Sequence, residues 1–155
     1  MTTLFNEITI EAPIQKIWEV LTNVEELEQY DPTVKSSTAR SESKRGLGAS
    51  RKVEMKDGKN WFEEKVTEFK PNESLIYELT ACSFPIHHLK HSYHFEEING
   101  QTKVSQRMDY QMKFGLFGKL MDWIMVRRQS DKGIKLFFNG LKSHIEKNNY
   151  KHGIQ

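Results

Sequence analysis

Polar and apolar residues alternate from Leu4 to Glu11. Ile8 and Ile10 share one face, and Glu7, Thr9 and Glu11 share the other. Strict alternation of this kind predicts a half-buried strand. Ala12-Pro13 ends it, and Pro13 suits the first turn of a helix. Ile14, Ile17, Trp18 and Leu21 then recur at helical spacing. Asn23 is an expected N-cap, with Glu25 and Glu26 in the first turn of a second short helix that runs to about Tyr30.

Six segments of strand character follow, at about 34–43, 48–56, 60–69, 74–82, 87–97 and 102–112. They are separated by turn chemistry: Arg45-Gly46-Leu47-Gly48, Asp57-Gly58, Lys70-Pro71-Asn72 and Asn99-Gly100. Consecutive hairpins imply an antiparallel meander rather than a parallel α/β sheet. The last part of the chain changes period. Leu116, Leu120, Trp123, Ile124, Ile134, Phe138, Leu141 and Ile145 fall at steps of three and four, on one helical stripe. A helix that long, roughly 45 Å at 1.5 Å per residue, exceeds any neighbouring helix here and must lie across the sheet. The expected class is α+β, with a seven-stranded antiparallel sheet curled around a C-terminal helix from near Leu116 to near Lys147. Two short helices follow the first strand.

With 155 residues and no composition shift, linker or repeat, residues 1–155 read as one domain. Lys and Arg number 23 against 21 Asp and Glu, a net charge of +2. A nucleic-acid binder usually carries a larger basic excess, so no nucleic-acid partner is expected. Cys82 is the single cysteine, which excludes an intrachain disulfide and a thiolate cluster. Met1 to Glu11 lacks a basic region followed by an apolar core, so no secretory signal is read there. The longest apolar run, Trp123 to Val126, is far short of the ~20 residues that span a bilayer. A cytoplasmic protein without stable membrane insertion is the expectation, its oligomeric state open.

Several stretches together resemble the START-related helix-grip superfamily, and within it the polyketide cyclase/dehydrase and lipid-transport family (SRPBCC). These are Glu7-Ile8-Thr9-Ile10-Glu11-Ala12-Pro13 with Ile17-Trp18 and Leu21-Thr22, and the tight turn Gly46-Leu47-Gly48-Ala49. Val66-Thr67-Glu68-Phe69 with Pro71 and Leu75-Ile76-Tyr77 resembles two middle strands, and Tyr93-His94-Phe95 with Gly100-Gln101-Thr102-Lys103-Val104 the last hairpin. Gly115-Leu116-Phe117-Gly118 through Gly140-Leu141-Lys142 to Glu146 is similar to the terminal helix. The resemblance implies a cavity between sheet and helix that takes a hydrophobic or amphipathic small molecule of lipid, polyketide or isoprenoid type. Family members include carriers, sensors and enzymes, and fold does not choose between them.

Period two assigns the inward faces of the strands collectively. If the register holds, Arg51, Glu64, Tyr77, His91, Tyr93, Gln106 and Tyr110 look inward beside Val53, Val66, Leu75, Leu89, Val104 and Met108. Polar groups converging on an apolar interior are the usual form of a small-molecule site. Taken singly, each reads more readily as a satisfied core residue, and the collection carries more weight than any member. On the terminal helix Arg127 and Asp131 interrupt the apolar stripe, four residues apart and so adjacent. The reading is a charged pair inside the cavity, with Arg127 holding a ligand's polar end and the apolar end reaching Trp123 and Phe138. A structural salt bridge or a helix break at Asp131-Lys132-Gly133 is the alternative.

Catalysis leaves fainter marks. His87, His88, His91 and His94 invite a metal, but on a strand His87 and His91 stand about 13 Å apart at ~3.3 Å per residue, too far for one Zn²⁺. No metal is therefore expected. An inward His91 is a candidate acid/base group, with Glu64 or a tyrosine. No Gly-x-Ser-x-Gly elbow occurs, and Gly46-x-Gly48 lacks the third glycine of a dinucleotide loop, so no cofactor is expected. Phe114, Leu116, Phe117, Leu120 and Met121, with Lys113 and Lys119, make an apolar, basic-edged helix start. It reads as core or cavity lid, with membrane contact the lesser possibility. A binding protein and a cyclase/dehydrase-type enzyme are both carried forward.

Overall fold

Asn99 and Gly100 both take positive φ, 53° and 78°, the backbone of a two-residue type I′ hairpin whose twist matches its strands. That turn joins two strands of 13 and 12 residues, Ile86–Ile98 (β6) and Gln101–Met112 (β7). A computed structural model describes residues 1–152, the side chains of Asn149, Tyr150 and His152 excepted. Before β6 come β1 (Thr2–Ile10), α1 (Ile14–Thr22), α2 (Leu27–Tyr30), β2 (Val34–Ala39), β3 (Ser50–Met55), β4 (Trp61–Lys70) and β5 (Ser74–Cys82). After β7 a continuous helix runs as α3 (Gly115–Met121), a wider turn over Asp122–Val126, and α4 (Arg127–His152).

The strands form one seven-stranded sheet in the order β1-β7-β6-β5-β4-β3-β2, every neighbour antiparallel. The meander β2 to β7 is built from hairpins, and β1 closes onto β7. Register shifts at Val34/Ser36, Glu63/Glu64, Val66/Glu68 and Ile86/His88 bend the strands and curl the sheet. β2 ends at Ala39 rather than near residue 43. There the Ser41 and Ser43 hydroxyls donate to the Ser43 and Arg45 carbonyls, which turns the chain out of the ladder. α2 begins at Leu27, because Asn23 Oδ1 accepts the Glu25 N–H at 3.1 Å in a local turn instead of capping a helix.

The core lies in the concave side of the sheet. Trp18 of α1 meets Phe69 and Phe95 edge-on, with centroids 5.0 and 5.5 Å apart. α4 packs on β1 and α2 and buries Ile134, Phe137, Phe138, Leu141 and Ile145. α2 and α4 approach so closely that a Cβ at Gly140 would overlap the Tyr30 carbonyl oxygen.

The first half of the terminal helix does not have the phase that its stripe predicts. Leu116, Leu120, Trp123 and Ile124 are exposed, Trp123 by 75%, while Gly118 and Asp122 are buried. The cause is the turn at Asp122–Val126, which has π-helical i→i+5 bonding and so holds one residue more than an α-turn. In a straight α-helix Trp123 and Ile134 would lie about 20° apart and Asp122 about 120° from Ile134. One inserted residue subtracts about 100°, bringing Asp122 into line with Ile134 and carrying Trp123 away. The inward line is therefore Gly118, Asp122, Val126, Ser130 and Ile134, four apart, of which Val126 and Ser130 are half-buried.

Candidate functional site

Three cross-strand pairs put polar groups on the concave face: Arg51 with Glu64, Tyr77 with His91, and Tyr93 with Gln106. Each strand carries its polar residue in the same period-two phase as buried Val53, Val66, Leu75, Leu89 and Val104, which is why all six turn inward. Arg51 is 5% exposed and Glu64 3%. Arg51 Nε and Nη2 donate to Glu64 Oε1 at 2.8 and 2.6 Å. The guanidinium lies over the Tyr77 ring, 4.4 Å from its centroid, and the Tyr77 hydroxyl donates to the Leu21 carbonyl at 3.0 Å.

Gln106 ties the neighbouring strand into this group. Its Nε2 donates to the Tyr93 hydroxyl at 2.8 Å and contacts His91 Nδ1 at 3.2 Å. In that amide orientation His91 Nδ1 accepts, so the ring proton sits on Nε2. Two buried atoms here have no hydrogen-bond partner among the described residues: Arg51 Nη1, a donor, and Gln106 Oε1, an acceptor. Such atoms are rare in folded interiors, because burying an unpaired polar group is costly.

Burial also moves the titrations. It lowers the His91 pKa below 6.5, Glu64 opposing and Arg51 assisting, so the ring is held neutral. Burial pushes the Tyr77 hydroxyl up to about 12 against the pull of Arg51, and raises Tyr93 and Tyr30 well above their ordinary value. For Arg51 burial is the largest influence and works against the charge, but Glu64, Tyr77 and Tyr30 together outweigh it and the pKa rises. The group is one neutral, internally paired ion pair surrounded by un-ionised tyrosines.

Helices roof the group with aromatic rings. Phe137 of α4 stands between Tyr30 and Tyr93, with centroids 5.7 and 6.1 Å away, and Phe138 packs beside it at 5.5 Å. Tyr30 and Phe137 are not among the residues expected from the sequence. Tyr30 closes a four-residue helix too short to show a periodicity, and Phe137 adjoins the stripe residue Phe138.

The remaining expected site residues lie elsewhere. Tyr110 is fully buried but four positions along β7 from Gln106, and its hydroxyl donates to the Asp122 carboxylate, which also accepts from Thr2. Trp123 and Arg127, expected inside, are both exposed, Trp123 because the wider turn rotates it away from the sheet. Asp131 does not pair with Arg127. Its carboxylate takes the Lys135 ammonium at 2.6 Å on the half-exposed side of α4. Among the histidines, His91 turns inward and His94 points to solvent, as alternation requires. His87 has the parity of His91 but is exposed, because the register shift at Ile86/His88 breaks the alternation between them. A surface cleft of about 200 Å³ lies at the β3–β4 hairpin, lined by Lys35, Glu54, Met55 and Trp61, and contains none of the expected residues.

A family model described as polyketide cyclase/dehydrase and lipid transport matches residues 1–146. The chain belongs to that family. No curated protein matches the chain. Solved structures of the same fold include a protein from Thermus thermophilus, at 15% identity and a TM-score of 0.79, covering 95% of this chain and 99% of that one. A START superfamily protein from Mycobacterium smegmatis is 16% identical with a TM-score of 0.75, over 94% of this chain and 97% of that one. The Zhui aromatase/cyclase from a Streptomyces species is 11% identical with a TM-score of 0.75, over 94% and 93%. At these identities the likeness extends to the helix-grip fold alone. In this member of the polyketide cyclase/dehydrase and lipid-transport family, the concave face between sheet and helix carries the Arg51–Gln106 group.

Proposed function

We propose that the chain binds a hydrophobic or amphipathic small molecule, of lipid, polyketide or isoprenoid type, between the sheet and the terminal helix. The observation that carries the reading is that two buried atoms of this group, Arg51 Nη1 and Gln106 Oε1, lack partners beside the aromatic rings of Tyr77, Tyr93 and Phe137. One free donor and one free acceptor suit a carbonyl or hydroxyl. A carboxylate suits them less, because Glu64 already neutralises Arg51 and a second buried anion would be uncompensated. Phe137 and Phe138 would border the apolar part of the ligand.

Native mass spectrometry of freshly purified protein tests the reading first, since a co-purifying compound names the chemistry. Titration with a long-chain alcohol, ketone and carboxylate of one length tests it further. The neutral ligands should bind more tightly, and Gln106→Leu should weaken the alcohol most. Absence of binding by all three, or a carboxylate preference, overturns the assignment. A second reading, proton transfer of cyclase/dehydrase type, is favoured by the neutral imidazole of His91 beside Tyr93. It requires the bound compound to lose water on the protein, a mass change that the same spectra read.

A further inference from the structure

The turn at Asp122–Val126 leaves the outer face of the helix start without a cover. Leu116, Phe117, Leu120, Trp123, Ile124 and Met125 are each more than half exposed, and Leu116 reaches 84%. They occupy one stretch of helix about 15 Å long. Exposed apolar surface of this extent on one element marks an interaction site.

Charge identifies the occupant. From Lys113 to Ser130 the exposed charges are Lys113, Lys119, Arg127 and Arg128, all positive. None of the four forms an ion pair among the described residues. The one carboxylate in that stretch, Asp122, is turned inside and held by Tyr110 and Thr2. A second copy of the chain fits poorly, because a two-fold interface sets the same patch against itself and would bring these cations together. An anionic lipid surface supplies both complements: acyl chains for the apolar face and headgroups for the basic rim. Trp123 is suited to the interfacial layer itself. No helix among the described residues is long and apolar enough to cross a membrane, so the contact is with the surface.

We infer that the α3–Asp122–Val126 segment is a docking face for an anionic membrane surface. The inference goes beyond the interior site and does not depend on what that site binds. The test is co-sedimentation with vesicles of phosphatidylcholine alone and of phosphatidylcholine mixed with phosphatidylglycerol, with no other ligand added. The mixed vesicles should bind the protein at least about tenfold more tightly, and high salt should weaken that binding. Trp123 fluorescence should shift to the blue on binding, a shift missing in Trp123→Phe. Arg127→Glu/Arg128→Glu and Leu120→Ser/Trp123→Ser should each lose about tenfold or more while keeping the wild-type melting temperature, since all four side chains are exposed.

Equal binding to both vesicles, no binding to either, or binding unchanged in both variants overturns the inference. So does a stable wild-type dimer in light scattering that Leu120→Ser/Trp123→Ser converts to monomer, which would assign the face to a second copy. Failure on vesicles leaves the interior-site reading standing, since that is judged by soluble ligands.

Discussion

The Tyr110 hydroxyl donates to the Asp122 carboxylate, a bond that ties the last strand to the terminal helix at its π-turn. Burial, then this hydrogen bond and the carboxylate's charge, raise the Tyr110 pKa well above its ordinary value. Tyr110→Phe removes one donor from a buried carboxylate and should destabilise the protein by about 1–3 kcal/mol. That is about 2–4 °C in melting temperature per kcal/mol for a chain of this size. Asp122→Asn should cost less, because the Thr2 and Tyr110 hydroxyls can rotate to suit an amide. Urea denaturation of both single variants and the double variant should show coupling. Simple additivity would mean that the two groups do not act on each other.

Arg51 and Glu64 are a buried ion pair, and such pairs are lost asymmetrically. Arg51→Met leaves a buried carboxylate without its partner and should destabilise by about 3–5 kcal/mol. Arg51→Met/Glu64→Leu removes both charges and should recover most of the loss. Urea midpoints of the three proteins decide this. A double variant as unstable as Arg51→Met would place the stabilisation in the cation–π contact with Tyr77 instead.

The neutral state of His91 gives folding a pH dependence of known sign. Its folded pKa is below 6.5, through burial first, so on acidification the unfolded chain takes the proton before the folded one. The contribution of His91 is complete above pH 6.5 and declines as pH falls below it toward the folded pKa. In the fold, Glu64, Arg51, Gln106 and Tyr93 face this ring. His91→Gln should flatten the wild-type decline in denaturation midpoint below pH 6.5. Identical slopes for the two proteins would refute the assignment.

Two glycines of α4 should respond in opposite directions to the same substitution. Nothing stands within 4 Å of the position a methyl would take at Gly133, so Gly133→Ala should stabilise the helix by about 0.5–1 kcal/mol. Gly140→Ala gains the same helix propensity but forces a methyl against the Tyr30 carbonyl, and should lose about 1–3 kcal/mol net. Thermal melts of the pair report whether α2 and α4 approach as closely as that overlap requires.

The strands and their inward faces are readable from the sequence because period two leaves one choice per strand, and the hairpin turns set the pairing. Arg51, Glu64, Tyr77, His91, Tyr93 and Gln106 meet for that reason. The terminal helix is readable in extent but not in phase. A stripe of apolar residues carries no sign of an inserted helical residue, so the pattern puts Trp123 inside when it lies outside. The counter-signal is the run Gly118, Asp122, Val126, Ser130 and Ile134, whose steps of four align only on a wider turn. Tyr30 comes into the group through the approach of α2 to α4, a tertiary contact with no local pattern.

The pairing of β1 with β7 has a consequence for how the chain is made. Every rung of that ladder joins residues more than ninety positions apart, from Ile10 with Thr102 to Thr2 with Tyr110. The other strands pair with neighbours in chain order, so each can join the sheet as it leaves the ribosome. β1 emerges first and waits longest. Until residues 101–112 are synthesised, its ladder groups and the Leu4, Ile8 and Ile10 face have no native partner, an exposure that invites chaperone capture or aggregation. Nascent chains arrested at residue 100 should therefore hold β1 open to protease, and chains arrested long enough to free β7 should protect it.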